Sequence, residues 1–180
     1  MLELGRRTIG YQTLRAAAAD ALLELHQASG AVAHLSVLEG AMTCHLDKVG
    51  SGRTWHEVPS RIGIQLPATE TAGGLSILAY LSPEEVDEVL DLQVQAGVSP
   101  VDRRHLENEL AAIRRRNGVA LRSGANRASR ISSAAAPIHG FSGPVGTVSI
   151  AWRHQGPTQE VAVDQVARAA RRVAQELRLA

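Results

Sequence analysis

At 180 residues with 44% apolar side chains, the chain is long enough to bury a core of its own without disulfides or a structural metal. A net charge of +1 offers no bulk attraction to nucleic acid, and no apolar run approaches the roughly 20 residues that a membrane-spanning helix needs. One Phe, two Trp and two Tyr leave the core to Leu, Val, Ile and Ala. The lone Cys44 excludes an internal disulfide and the N-terminus has no signal-peptide core, so a soluble cytoplasmic protein is expected.

In chain order, Leu14, Ala18, Ala21, Leu22, Leu25 and Ala28 recur at helical spacing and predict a helix over 11–29, stopped by Gly30. Two strand-like runs follow, with Glu39-Gly40 as a two-residue turn. That turn pairs Leu38 with Ala41, Leu35 with Cys44 and His34 with His45. Alternation then gives an apolar face of Ala33, Leu35, Val37, Met42, Cys44 and Leu46. The polar face is His34, Ser36, Thr43, His45 and Asp47. A third strand is predicted over about Trp55 to Ile62, then an extended Leu66-Pro67 corner and a helix from Thr69 to Leu81.

Ser82-Pro83-Glu84-Glu85 is a capping box with Pro at the first helical position, opening a short helix through about Leu92. Another helix spans Asp102 to Asn117, with Leu106, Leu110 and Ile113 inward and Gly118 as its cap. Val119-Ala120-Leu121, Ile131 to His139 and Val145 to Trp152 read as strands, the last two joined by a turn over 140–144. Thr158 to Leu177 is an amphipathic helix with Val163, Val166, Ala170, Val173 and Leu177 inward. Hairpins mixed with helices, without strict βαβ alternation, indicate an α+β sandwich.

Candidate chemistry is sparse. Facing histidines at His34 and His45, with Cβ atoms about 5 Å apart, have the spacing to share a metal with Asp47 or His56; the simpler reading is a polar sheet face, and no metal or other cofactor is expected. Cys44 alternates onto the apolar face, away from His45, and reads as a buried thiol. Arg114-Arg115-Arg116, with Arg122, Arg127 and Arg130 beyond, is the densest positive region; for the triple Arg, a solvated helix end whose cations suit the dipole is preferred to phosphate binding. Ser82, Glu84 and Glu85 are capping residues. No nucleophile elbow, phosphate-binding loop or paired metal-ligating cysteines occur, and nothing supports an enzyme. Small residues around Thr69 to Gly74 leave backbone N–H groups bare at a helix start, a seat for an anion.

The stretch from Arg61 to Ala79, with Arg61, Gly63, Pro67, Thr71, Ala72, Gly74, Leu78 and Ala79 in place, resembles the R-x-G-x-x-x-P-x-x-x-T-A-x-G-K-A-x-L-A signature of the effector-binding domain of IclR-type bacterial transcription regulators. The hairpin from Gly30 to Val49, the strands at Ala134 to Ile138 and Gly146 to Ile150, and the closing helix are similar in order to the same family. The resemblance implies a GAF-like antiparallel sheet flanked by helices. It implies residues 30–180 as the effector-binding domain and 1–29 as the remnant of a linker helix plus the first domain helix. The family's helix-turn-helix domain is not expected among these residues.

The resemblance also implies a small organic effector, an acid, seated between sheet and signature helix. The amides of Ala72 and Gly73 would meet its anionic end, and the Ser149 hydroxyl would point at it. Trp55, Val58, Leu66 and Ile131 would form apolar walls, with Ser133 where the family often has Cys. Departures from the pattern complete the candidate contacts: Leu75 where Lys is common, Arg122 and Ser123 where an acidic run is usual, and Ala151 after Ser149. Glu70 enters a usually neutral position. A homodimer or homotetramer is implied, touching DNA only through the family's helix-turn-helix. The alternatives are a stand-alone small-molecule-binding module that recruits a protein partner and, third, an enzyme using the same pocket.

Overall fold

In the computed structural model, the backbone is described over residues 2–124 and 130–179, and side chains over 10–124 and 130–178. The helical spacing that begins at Leu14 belongs to a longer helix, α1 (Leu2–Ser29), which ends where the Gly30 amide bonds the His26 carbonyl at 2.9 Å. The side chains of Leu2, Leu4 and Ile9 lie outside the described residues. Strands β1 (Val32–Glu39) and β2 (Met42–Val49) form the first hairpin. Then come α2 (Gly52–Glu57), β3 (Gln65–Pro67), a 3-10 turn at Ala68–Glu70, and α3 (Ala72–Leu78). Two longer helices, α4 (Pro83–Gln95) and α5 (Arg103–Arg115), lead to β4 (Ala120–Arg122), β5 (Ser132–His139), β6 (Pro144–Trp152) and α6 (Gln159–Leu179). The strands make one six-stranded antiparallel sheet in the order β3-β2-β1-β6-β5-β4, as the α+β reading expects.

The sheet separates two helical layers. On one side α1 and α6 cover Leu35, Val37, Cys44, Val148, Ile150 and Ile138, all buried with Leu22 and Val166 in one apolar cluster. On the other, α3, α4 and α5 bury Leu75, Leu78, Val86, Leu106, Leu110 and Ile113 against Ala120 and Ala135. Each buried aliphatic side chain contributes about 1.5–3 kcal/mol, so both layers add substantially to stability. The Ser82–Glu85 capping box is formed, and Asp102 caps α5 through the His105 amide at 3.0 Å. Arg114 donates to the Ala79 carbonyl at 3.0 Å, in keeping with a cation at a helix end.

Four expectations need correction. The hairpin turn is Gly40-Ala41, one residue later than predicted, because Gly40 takes the positive φ of 56° that the first turn position demands. Leu38 therefore faces Thr43 and Val37 faces Cys44. Second, a bulge sets in at Leu35/Ser36, so that Leu35 opposes Asp47 while Ser36 opposes His45. The extra residue reverses the alternation of β2: Asp47 leaves the polar face and reaches Arg15 of α1 at 3.5 Å, while Lys48 comes opposite His34.

Third, Trp55 to Ile62 is no strand. Its first residues form α2, and the carbonyls of Trp55, Val58 and Ser60 accept hydrogen bonds from the Lys48 ammonium at 3.2, 3.0 and 2.8 Å. Pro59 also lacks the N–H that a ladder needs. The sheet edge is instead β3, paired with Met42–Cys44. Fourth, the helix does not run on from Thr69. Thr71, extended at φ −107° and ψ 147°, interrupts it, and its hydroxyl accepts from the Gly74 amide at 2.8 Å as the N-cap of α3.

Gly74 is where α3 and the turn before it approach most closely. A Cβ there would lie 2.2 Å from the Ala68 carbonyl oxygen. Gly74→Ala is therefore expected to destabilise the protein by about 1–3 kcal/mol. Gly10→Ala, in α1 with nothing within 4 Å of the new Cβ, is expected to stabilise it by about 0.5–1 kcal/mol. Urea denaturation of both variants checks the pair; a neutral Gly74→Ala would contradict the packing of this corner.

Candidate functional site

Period-2 alternation across four strands lays polar side chains along one stripe of the sheet. Registers pair Ser36 with His45, His34 with Ser149, Ser36 with Thr147, and Ser133 with Ala151, so all share the face turned toward α3. Between this stripe and the first turn of α3 lies a cavity of about 300 Å³. Its floor is His34, Ser36, Thr43, His45, Ser133 and Ser149; its walls are Val58, Ile64, Leu66, Ile131 and Ala151; Thr71, Ala72 and Gly73 close it on the helix side. Mostly apolar walls with a few placed polar groups are what a small-molecule site requires.

The corner at α3 is tied down from both sides. Thr43 Oγ1 lies 3.0 Å from Thr71 Oγ1, and Ser76 Oγ lies 3.1 Å from Thr147 Oγ1. The first-turn amides of Ala72 and Gly73 have no partner within the helix by its geometry. A Cβ on Gly73 would meet Thr147 Cγ2 at 3.0 Å, so its missing side chain serves close docking on the sheet. A bulky substitution there would disturb packing as well as the cavity.

The roof is the segment around Val58, Pro59 and Ser60, held by Lys48. Lys48 is 7% exposed, and its ammonium sits 4.1 Å from the Trp55 ring centroid, a cation–π contact. Beneath it His34 and His45 stack with centroids 4.6 Å apart and planes at 21°. His34 Nε2 lies 2.6 Å from Ser60 Oγ, and His45 Nδ1 lies 2.7 Å from Ser36 Oγ. Burial holds the His34 imidazole well below its ordinary value, with His45 and then Lys48 adding repulsion. His45 is lowered to about 4, by burial first and Lys48 second.

On the far side, Arg122 donates to the Thr69 carbonyl at 2.8 Å and pairs with Glu109 of α5. Its Nε is buried with no hydrogen-bond partner among the described residues. Glu70 is exposed and belongs to both this cavity and the neighbouring groove at His105 and Glu109.

Of the residues singled out from the sequence, the structure brings Val58, Leu66, Ala72, Gly73, Arg122, Ile131, Ser133, Ser149 and Ala151 to this one cavity. Three do not line it. Trp55 stands behind the roof, its ring on Lys48 and 41% exposed. Leu75 is fully buried in the α3–α4–α5 core. Ser123 follows the last residue of β4 and is exposed, alternation turning it away from Arg122. Residues 125–129, which include Arg127, lie outside the described residues.

Sequence reasoning missed His34, Ser36, Thr43 and His45 as cavity residues, although it placed them on a polar face. A polar stripe on a buried sheet face was the available signal. Cys44 packs among the α1 side of the core, where burial, then Glu39, pushes its thiol up. Among the described residues, no three His, Cys, Asp or Glu side chains are placed to hold a metal ion. Nor, among them, is any helix long and apolar enough to cross a membrane.

Comparison with known proteins follows the same outline. The family model described as "Bacterial transcriptional regulator IclR C-terminal" matches residues 7–179. The HTH-type transcriptional regulator XynR of Escherichia coli K12 is 29% identical over 128 residues, covering 70% of this chain; the chain spans about half of that relative's length (50% covered). The crystal structure of Thermotoga maritima IclR superposes with a TM-score of 0.77 at 28% identity, covering 91% of this chain and 68% of that one. An IclR homologue from Microbacterium hydrocarbonoxydans, complexed with 4-hydroxybenzoate, gives 0.76 at 20% identity, covering 94% and 70%; at that identity the likeness is one of fold.

The two histidines make stability sensitive to acid. Their folded-state values lie below the unfolded one near 6.5, so the unfolded chain binds more protons once pH falls beneath it. Stability is therefore full above about pH 6.5 and is lost as pH falls toward 4, with His45 alone contributing at most about 3 kcal/mol. Urea midpoints at neutral and acid pH should show this loss, and His45→Gln should reduce it. An unchanged acid slope in that variant would contradict the burial of a neutral His45.

Proposed function

The chain belongs to the IclR C-terminal family of bacterial transcriptional regulators, and from that premise we propose that the cavity between the sheet and α3 seats a small organic effector. The observation that carries this reading is the cavity itself. Polar groups from β1, β2, β5 and β6 converge at its floor, opposite the N-cap turn of α3, inside largely aliphatic walls. The effector is a small acid. Its anionic end lies near the first-turn amides of Ala72 and Gly73, with Ser149 as a hydroxyl donor. The 4-hydroxybenzoate complex of the Microbacterium homologue lends support at the level of fold.

In the intact regulator the effector shifts the balance between dimer or tetramer arrangements, and with it the spacing of two DNA-reading heads. Residues 1–29 are the end of the linker helix and the first domain helix, and 30–180 the sensing domain. DNA contact belongs to a helix-turn-helix segment of the whole protein, in keeping with XynR, an HTH-type regulator twice the matched length. The setting is cytoplasmic, and the cavity binds without turnover: the regulators this chain resembles are not enzymes.

Two outcomes are expected. Native mass spectrometry of the purified chain should give a homo-oligomer carrying a small acid; a bare monomer at micromolar concentration would count against the assembly. With that acid in calorimetry, Ser149→Ala should weaken binding by about 0.5–1.5 kcal/mol, the cost of one neutral hydrogen bond. Unchanged affinity in Ser149→Ala and in a Ser133→Ala companion would move the effector out of this cavity.

A further inference from the structure

Strands β1 and β2 bring three basic side chains together, two of them at the cavity floor and Lys48 beside them. His34 is 2% exposed, Lys48 7% and His45 9%. Lys48 is committed: its ammonium donates to the carbonyls of Trp55, Val58 and Ser60, and ammonium has three donors to give. The imidazoles are only half committed. Each meets one serine hydroxyl, leaving His34 Nδ1 and His45 Nε2 without a hydrogen-bond partner among the described residues. A serine hydroxyl both donates and accepts, so either contact survives a change in the protonation of its ring.

The surrounding charges leave an acid-shaped gap. Lys48 faces both rings from β2. Arg122, reaching the cavity from β4, is paired with Glu109. Among carboxylates, Asp47 has turned to Arg15 on the other face, Glu57 of α2 lies 4.0 Å from Arg53, and Glu70 stands exposed beside α3. No described carboxylate is paired with the imidazoles, so among the described residues no negative charge is placed to balance a positive one on them before an anion arrives.

We propose that the stacked His34–His45 pair is the acid-recognition element of this cavity, binding a small organic carboxylate together with one proton taken up from solvent. This rests on the reading of the cavity as the effector site. One ring nitrogen, His45 Nε2 or His34 Nδ1, accepts the proton and becomes an N–H donor to a carboxylate oxygen. The ligand stays ionised, and no covalent bond within it forms or breaks. A second proton is opposed by the neighbouring ring at 4.6 Å and by Lys48, which sets the stoichiometry at one. The free pair is neutral at pH 7, held so by burial, and the bound anion supplies the missing counter-charge.

Two properties follow. The cavity prefers a carboxylate over its amide, which cannot stabilise an imidazolium. Affinity also rises as pH falls, by up to about tenfold per pH unit, between the value of the pair with ligand bound and its lower free value.

The test is calorimetry on the whole chain with benzoate, 4-hydroxybenzoate and pyruvate as probes, and benzamide and 4-hydroxybenzamide as neutral partners. Titrations at about pH 5.5 and about pH 7, in two buffers of different ionisation heat, count the protons exchanged. The expected result is uptake approaching one proton with an acid, binding up to about thirtyfold tighter at the lower pH, and neither effect with an amide. His45→Gln should remove most of the proton uptake. Because the wild-type proton count needs no variant, a poorly folded His45→Gln leaves the test intact. Acid binding that Ser149→Ala weakens, without proton exchange or pH dependence, would overturn the histidine proposal while the cavity reading stands. Failure of every probe acid at both pH values would overturn both.

Discussion

One extra residue in β2, set against the Leu35–Ser36 step of β1, decides which charges the two faces of the sheet carry. Without the bulge, strict alternation would put Asp47 on the cavity face and Lys48 under the helices. With it, Asp47 meets Arg15 on the α1 side, while Lys48 comes opposite His34. The rest of the site follows from that reversal. The Lys48 ammonium, buried and in need of acceptors, takes the carbonyls of Trp55, Val58 and Ser60 and so fixes the roof. Its charge, added to burial, keeps the two stacked imidazoles neutral.

Around this centre the fold solves a packing problem with small residues. The helix that closes the cavity must lie against both the sheet and its own preceding turn. Gly73 allows the first approach, to Thr147, and Gly74 the second, to the Ala68 carbonyl. Hydroxyls then pin the contact, Thr71 capping the helix while Ser76 reaches Thr147. The cavity is what remains where the sheet's polar stripe is not covered by apolar helix. On the opposite face the same strands carry mainly aliphatic side chains, packed beneath α1 and α6.

Much of the fold was legible because its signals are local. The spacing of Leu14 to Ala28, the Ser82–Glu85 box, the Asp102 cap and the alternation of β5 and β6 each depend on residues a few positions apart. The family resemblance placed Ala72, Gly73 and Ser149 near one another across the fold, and the cavity gathers them with Val58, Leu66 and Ile131. What was illegible was long-range. The bulge has no sequence marker, and it alone moves Asp47 and Lys48. The segment after Trp55 alternates like a strand, yet the carbonyls near it are claimed by a lysine several residues earlier. Arg122 reads as one more cation of a basic region until the fold places Glu109 beside it. His34 and His45 read as a polar face; the resemblance set an effector between sheet and signature helix without bringing these two rings to it.

The central claim is that this covered polar stripe is where the domain reads its effector. Difference electron density from crystals of the chain grown with its co-purifying small molecule tests it most directly. The account predicts density between Ser149, the His34–His45 pair and the first turn of α3, beneath the Ser60 roof. Density in the apolar groove by Tyr11, Leu14 and Phe141, with the cavity filled only by solvent, would contradict it.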